Sequence, residues 1–207
     1  MITTDRPEFA ALRAEKIRGA HFAVVVDNKD EVAPYRVKVS YPWLPPGTEK
    51  TYWARIATPM GGPDRGNYFL PEKDDQVLVV FEHGDIEKPI IIASLWNDKQ
   101  PPPQVNTDGK NDVKVIKSKS GHRIIFVDKK GEEKVIIVDS TKKNKIVLDV
   151  KKKTVNIESD KDISIKAKAN CIFHAKNVKM TSDSGSTKIE ATGAFNMTSD
   201  GTINMKA

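Results

Sequence analysis

Residues 155–173 read VNIESDKDISIKAKANCIF, and residues 195–205 read FNMTSDGTINM. In both stretches apolar side chains come in pairs two positions apart, which places each pair on one face of a β-strand. The pairs recur every eight residues: Val155/Ile157, Ile163/Ile165, Cys171/Phe173, then Phe195/Met197 and Ile203/Met205. Nearly everything between them is polar or alanine, so the segment is an octad repeat of short amphipathic strands. One step further upstream the same count lands on Val147/Asp149. The pattern slips between Phe173 and Phe195, where Val178 and Met180 sit one position early and Ser-Asp-Ser-Gly-Ser intervenes at 182–186. A bulge or a longer corner accommodates such a slip.

A strand of about four residues with a single apolar stripe cannot bury that stripe by itself, and repeat architectures solve this by stacking neighbours. An octad supplies one side of a triangular cross-section, and three chains wound about a common axis supply all three. The expectation is therefore an intertwined, homotrimeric β-helix. Its trimer core is formed by Val155, Ile157, Ile163, Ile165, Cys171, Phe173, Phe195, Met197, Ile203 and Met205. The competing arrangement is a meander of β-hairpins. Only Asp200-Gly201 is a clear hairpin signal over 150–207, which disfavours it.

Upstream, IIFV (124–127), VIIV (135–138) and IVLDV (146–150) are richer strands separated by DKKGEEK and DSTKKNK turns, with a spacing nearer eleven. Pro101-Pro102-Pro103 precedes them; three successive prolines cannot donate to a ladder and favour an extended spacer. Before the prolines come HFAVVVD, YRVKVSYP, TYWARIATP, QVLVVFEHGD and KPIIIASLW, five β-branched runs broken by Pro45-Pro46-Gly47, Gly61-Gly62-Pro63 and Gly84-Asp85. Five strands in this compass predict a small Greek-key barrel of OB type. Residues 7–19 carry Phe9, Leu12, Lys16 and Ile17 at roughly helical spacing and read as a short helix or docking arm. The fold class is all-β, an N-terminal OB-fold barrel followed by an intertwined trimeric β-helix. Its parts are an arm at 1–19, the barrel at 20–100, a linker at 101–119 and a needle at 120–207.

Aromatic residues are 7% of the 207-residue chain and charged residues 30%, thin for one wide core. Residues 1–107 carry 13 Lys+Arg against 15 Asp+Glu, and residues 108–207 carry 21 against 13. A basic half suits a nucleic-acid or membrane partner, but lysines spread along strands also keep β-edges soluble, and that reading is preferred. The one cysteine, Cys171, excludes an intrachain disulfide and a cysteine zinc cluster. The start, Met-Ile-Thr-Thr-Asp, has no secretory signal character, and no run of 18 apolar residues occurs. Synthesis in the cytoplasm without a signal peptide is expected.

Residues 35–103 carry a recognisable series: Arg-Val-Lys-Val leading to Pro42-Trp43, Trp-Ala-Arg at 53–55, Gly66 with Phe69-Leu70-Pro71, Val-Leu-Val-Val-Phe-Glu before Gly84-Asp85, and Pro89 closing at Leu95-Trp96-Asn97. This stretch resembles the OB-fold domain of the central spike family of contractile injection systems, which includes phage baseplate assembly protein V, VgrG of type VI secretion and the spikes of extracellular injection particles. SGHRIIFVD (120–128), EKVIIVD (133–139) and NKIVLD (144–149) resemble the start of the β-helix in the same family. The resemblance implies a non-enzymatic, membrane-piercing needle within a virion tail or injection particle, delivered outward on contraction. It implies docking on a baseplate hub and transient contact with a target membrane. The sequence shows no large N-terminal hub domain, so either a separate hub protein exists or this is a fragment, and it shows no inserted lysozyme domain and no His-x-His tip. Its end, Ile203, Asn204, Met205, Lys206 and Ala207, is expected to dock a separate PAAR-type tip protein or effector.

No catalytic constellation is visible. His21, His83, His122 and His174 are scattered and read as surface or turn residues; His174 and Cys171 on one strand face opposite sides. Gly61, Gly62 and Gly66 have no following lysine and helix, so they are turn glycines rather than a phosphate loop. No cofactor or metal is expected. The rival function is an OB-fold nucleic-acid-binding protein with a basic tail, stacking bases on Trp43, Tyr52 and Trp53. Packing within the barrel is the preferred role of those residues, and no nucleic-acid partner is expected.

Overall fold

The computed structural model describes residues 16–47 and 50–203. The chain divides into two units, Met1–Glu158 and Ser159–Ala207.

The first unit opens with a closed barrel in the order β1-β2-β3-β7-β6, built from β1 (His21–Asp27), β2 (Arg36–Ser40), β3 (Thr51–Ile56), β6 (Gln76–Phe81) and β7 (Pro89–Leu95). All neighbours are antiparallel except β3 and β7, which run parallel. Alternation decides the core: Ala23, Val25, Val37, Val39, Ala54, Val77, Val79 and Ile91 point inward and are buried, with Tyr41 and Phe81 beside them. Between β3 and β6 lies a two-residue hairpin, β4 (Gly61–Gly62) with β5 (Arg65–Gly66), where the sequence had suggested only a turn. The β1–β2 loop is fixed by Asp30, whose buried carboxylate accepts from the Val32 and Ala33 N–H groups (2.9 and 3.1 Å) and pairs with Arg36 at 2.7 Å. Of the expected arm, residues 1–15 lie outside the described residues. Ile17 packs against the barrel core, and its N–H donates to the Gly84 carbonyl oxygen at 3.1 Å.

The rest of the first unit is one antiparallel meander, β8 (Val113–Lys117), β9 (Arg123–Val127), β10 (Lys134–Val138), β11 (Lys145–Asp149) and β12 (Thr154–Glu158). Strand β8 falls inside the segment read from sequence as linker, so the extended stretch after the prolines is shorter than expected. Glu72 of the barrel and Lys119 of the β8–β9 turn form an ion pair at 2.8 Å.

In the second unit no residue from Ser159 to Ile203 is in a strand, and every residue from Asp160 to Ile203 is exposed. The octad strands anticipated there are not formed in the single chain. Each would present one apolar stripe to water, and short strands without a layer to cover them are not stable alone.

Candidate assembly surface

The sheet β8–β12 separates its side chains by pleat. One face carries two rows of direct cross-strand neighbours. The first is a ladder of five isoleucines, one per strand: Ile116, Ile124, Ile137, Ile146 and Ile157. The second runs Lys114, Phe126, Val135, Leu148 and Val155. The face is therefore apolar apart from Lys114, whose ammonium is drawn to the sheet margin by Asp128 at 2.7 Å. Eight of these nine apolar residues are 37–66% exposed, and Val135 is half-buried. The isoleucine ladder lines an open trough of about 530 Å³.

The opposite face is closed differently. Val115, Ile125, Ile136 and Val147 form its centre and are half-buried. Lys134 reaches Asp149 at 3.5 Å and Lys145 reaches Glu158 at 2.9 Å, so charges pair on either side of the apolar centre. Asp149 is buried, and its carboxyl is held below the usual range chiefly by the Lys152 N–H, which donates to it at 2.9 Å, with Lys134 contributing charge.

Val155 and Ile157 thus share a face, as the octad spacing required, but the step upstream does not hold. Val147 and Asp149 lie on the other face, opposite Asn156 and Thr154. A hairpin reverses the strand between them, and the correct upstream pair is Ile146/Leu148. Ile163, Ile165, Cys171, Phe173, Phe195, Met197 and Ile203 stand exposed in the second unit, where the described chain brings no two octad pairs into a sheet. Met205 and the anticipated docking residues Asn204, Lys206 and Ala207 lie outside the described residues.

In the barrel, Trp43 and Tyr52 pack against the core. Trp43 Nε1 donates to the Phe22 carbonyl oxygen at 3.0 Å, and Tyr52 Oη donates to Glu87 at 3.2 Å. Burial, with Tyr52 alongside, raises the Tyr41 hydroxyl pKa, and that hydroxyl donates to the Ile86 carbonyl oxygen. Trp53 faces outward from β3 under Lys38, whose Nζ lies 5.0 Å from the ring centroid. His21 lies tilted beside Trp43 with ring centroids 4.8 Å apart, and His122 Nδ1 accepts from the Ser140 N–H at 3.2 Å in the turn region. The described residues contain no group of His, Cys, Asp and Glu placed to hold a metal, and no helix long and apolar enough to cross a membrane.

The family model described as the type VI secretion system/phage-baseplate injector OB domain matches residues 21–96, the barrel from β1 through β7. The chain is 32% identical over 117 residues to the type VI secretion system spike protein VgrG2a of Pseudomonas aeruginosa, covering 53% of this chain and 14% of that protein. Against VgrG1a of the same organism it is 31% identical over 134 residues, 58% of this chain and 21% of the relative. Against VgrG3 of Vibrio cholerae it is 28% identical over 109 residues, 48% and 10% respectively. The chain matches no more than about a fifth of the length of these spike proteins. Residues 21–96 thus match the injector OB domain, and over about half of its length the chain is similar to VgrG spike proteins of type VI secretion.

Proposed function

We propose that the chain is the structural spike at the tip of a contractile tail or secretion tube, a homotrimer whose C-terminal part is a membrane-piercing β-helix needle. The observation that carries this reading is the octad stripe. Val155, Ile157, Ile163, Ile165, Phe173, Phe195, Met197 and Ile203 recur at strand spacing, yet all stand 47–67% exposed in the single chain. Apolar side chains so regularly placed and so fully uncovered match a fold completed by other copies, where backbone bonds run between chains and no long edge remains open.

The role is mechanical and not catalytic: sheath contraction drives the tube, and a stiff shaft carries the force through a target envelope. In this reading the barrel seats the needle on a baseplate hub, and Ile203, Asn204, Met205, Lys206 and Ala207 present the platform for a PAAR-type tip or effector. The protein is made in the cytoplasm and leaves it as part of a virion tail or injection particle. The match of the barrel to the injector OB domain and the similarity of about half the chain to type VI spike proteins support this placement.

Light scattering on a size-exclusion column tests the assembly. The expected native mass is three times the 23.0 kDa of the chain, eluting as an elongated particle. A monomer at the chain mass removes the physical basis of the needle.

A further inference from the structure

We propose that the cleft between Trp96 and the loop leading into β8 is a binding site for a neutral sugar, a pyranose unit of a glycan. The proposal does not depend on the mechanical reading above, since it concerns a segment outside both the barrel core and the octads.

The cleft has a volume of about 490 Å³. That falls inside the range of roughly 300–1,000 Å³ typical of small-molecule sites. Part of its lining is Trp96, which follows β7 directly and is 72% exposed, although an indole is among the side chains that gain most from burial. The remainder includes Val105, Asn106, Thr107 and Asp112. This loop is held in shape by its own bonds. The Asn111 N–H donates to Asn106 Oδ1 at 2.7 Å, the Gly109 N–H donates to the Asn106 carbonyl oxygen at 3.3 Å, and Lys114 Nζ donates to the Asn111 carbonyl oxygen at 2.7 Å. A simple spacer after three prolines needs no such closure, whereas a binding surface ordered in advance loses less entropy when a ligand arrives.

The chemistry of the lining selects the ligand. Among the described residues the Thr107 hydroxyl and the Asp112 carboxylate make no hydrogen bond or ion pair, so one donor and several acceptor positions remain open beside the indole. The face of an indole is negatively polarised. One face of a pyranose presents C–H hydrogens made positive by the neighbouring oxygens, and its hydroxyls project from the rim, where hydroxyl, amide and carboxylate groups can bond them. An anionic ligand is disfavoured: the cation of the lining, Lys114, is already paired with Asp128 at 2.7 Å, while Asp108 and Asp112 add negative charge. A wholly apolar ligand would bury the Thr107 and Asp112 polar groups without partners.

The test titrates the full-length protein in its native assembly with two uncharged oligosaccharides, chitotetraose and maltotetraose, and with a sulfated tetrasaccharide, read by calorimetry and saturation-transfer NMR. The expected result is saturable binding of at least one uncharged sugar and none of the sulfated one. Trp96→Ala should weaken binding by about tenfold, the loss of an aromatic platform. Asp112→Asn and Thr107→Val should each weaken it by about threefold, the loss of one hydrogen bond. Trp53→Ala, on the outer side of β3, should leave it unchanged. Absence of saturable binding, preference for the sulfated sugar, full affinity in Trp96→Ala, or equal loss in Trp53→Ala would each overturn the proposal. Where Trp96→Ala fails to keep the parent melting temperature, the loop variants decide, and unchanged affinity in both of them overturns it.

Discussion

Ile146 on β11 is the direct cross-strand partner of Ile157 on β12. That single pairing joins two sequence patterns that look unrelated. Ile124/Phe126, Val135/Ile137 and Ile146/Leu148 repeat every eleven residues, whereas Val155/Ile157 and the pairs after it repeat every eight. The longer period is one strand plus a charged hairpin turn, and the shorter one leaves room only for a strand with a tighter corner. The side-chain pairs of β9 to β12 nevertheless occupy one continuous surface.

If that surface and the octads form one core, charges within the octads cannot be buried there. Ile163→Asp with Ile165→Asp places two carboxylates per chain, six per trimer, in an apolar interior, where burying even one unpaired charge costs several kcal/mol. The expected outcome is complete loss of trimers by light scattering, with the barrel still folded by circular dichroism. A normal trimer from this variant would sink the register.

Asp149 gives a pH dependence of known sign. Its folded pKa lies below the ordinary 3.8, because the Lys152 N–H and Lys134 favour the carboxylate. The unfolded chain therefore binds more protons in this range, and stability rises with pH. Its contribution is full above the ordinary value and fades as pH falls from there through the folded pKa. Asp149→Asn should lower the melting temperature at neutral pH and flatten the acid limb of the melting curve; an unchanged acid limb would show that the carboxylate contributes nothing.

The barrel strands were legible because β-branched residues alternate with polar ones between strong turn signals: HFAVVVD coincides with β1, and the other four runs contain β2, β3, β6 and β7. Strand β8 was missed because Val113, Val115 and Ile116 follow a proline spacer and are interleaved with Lys114 and Lys117, so the stretch resembles linker in composition. Its membership is fixed by the hairpin it forms with β9 across the turn at 118–122, which its composition alone does not announce. The same limit explains Val147. Periodicity says which residues share a face within one strand, but the hairpin turn decides how that face continues into the next.

Gly66 is needed for its backbone. It adopts φ of 141°, and a Cβ there would collide with the Met60 carbonyl oxygen. Gly66→Ala should therefore open the β4–β5 hairpin and release the Asn67 N–H bond to Met60. Faster amide exchange at Asn67 with little change at Val77 and Val79 is the expected signature; equal exchange in both proteins would contradict it.

Ile91 is among the largest fully buried side chains of the barrel, packed with Val37, Val39 and Val77 in one cluster. Ile91→Ala should cost about 3 kcal/mol of barrel stability, the usual range for a truncated core aliphatic that leaves a cavity. Chemical denaturation followed by the fluorescence of Trp43 and Trp53 measures it. A loss under about 1 kcal/mol would mean that the barrel relaxes around the deletion.

Of the three aromatics in the nucleic-acid reading, Trp53 alone faces outward from the barrel strands, beside Lys38, Arg36 and Arg55 on the outer surface of β2 and β3. Each cation, however, is already engaged. Arg36 is paired with Asp30 at 2.7 Å, Arg55 with Glu82 at 2.8 Å, and Lys38 stands over the face of Trp53 where a base would stack. Binding a phosphate chain on this surface would require breaking those contacts. Fluorescence anisotropy with a labelled single-stranded oligonucleotide should therefore show no saturable binding at physiological salt. Tight binding that weakens steeply with salt, and is lost in Trp53→Ala, would return the nucleic-acid function to first place.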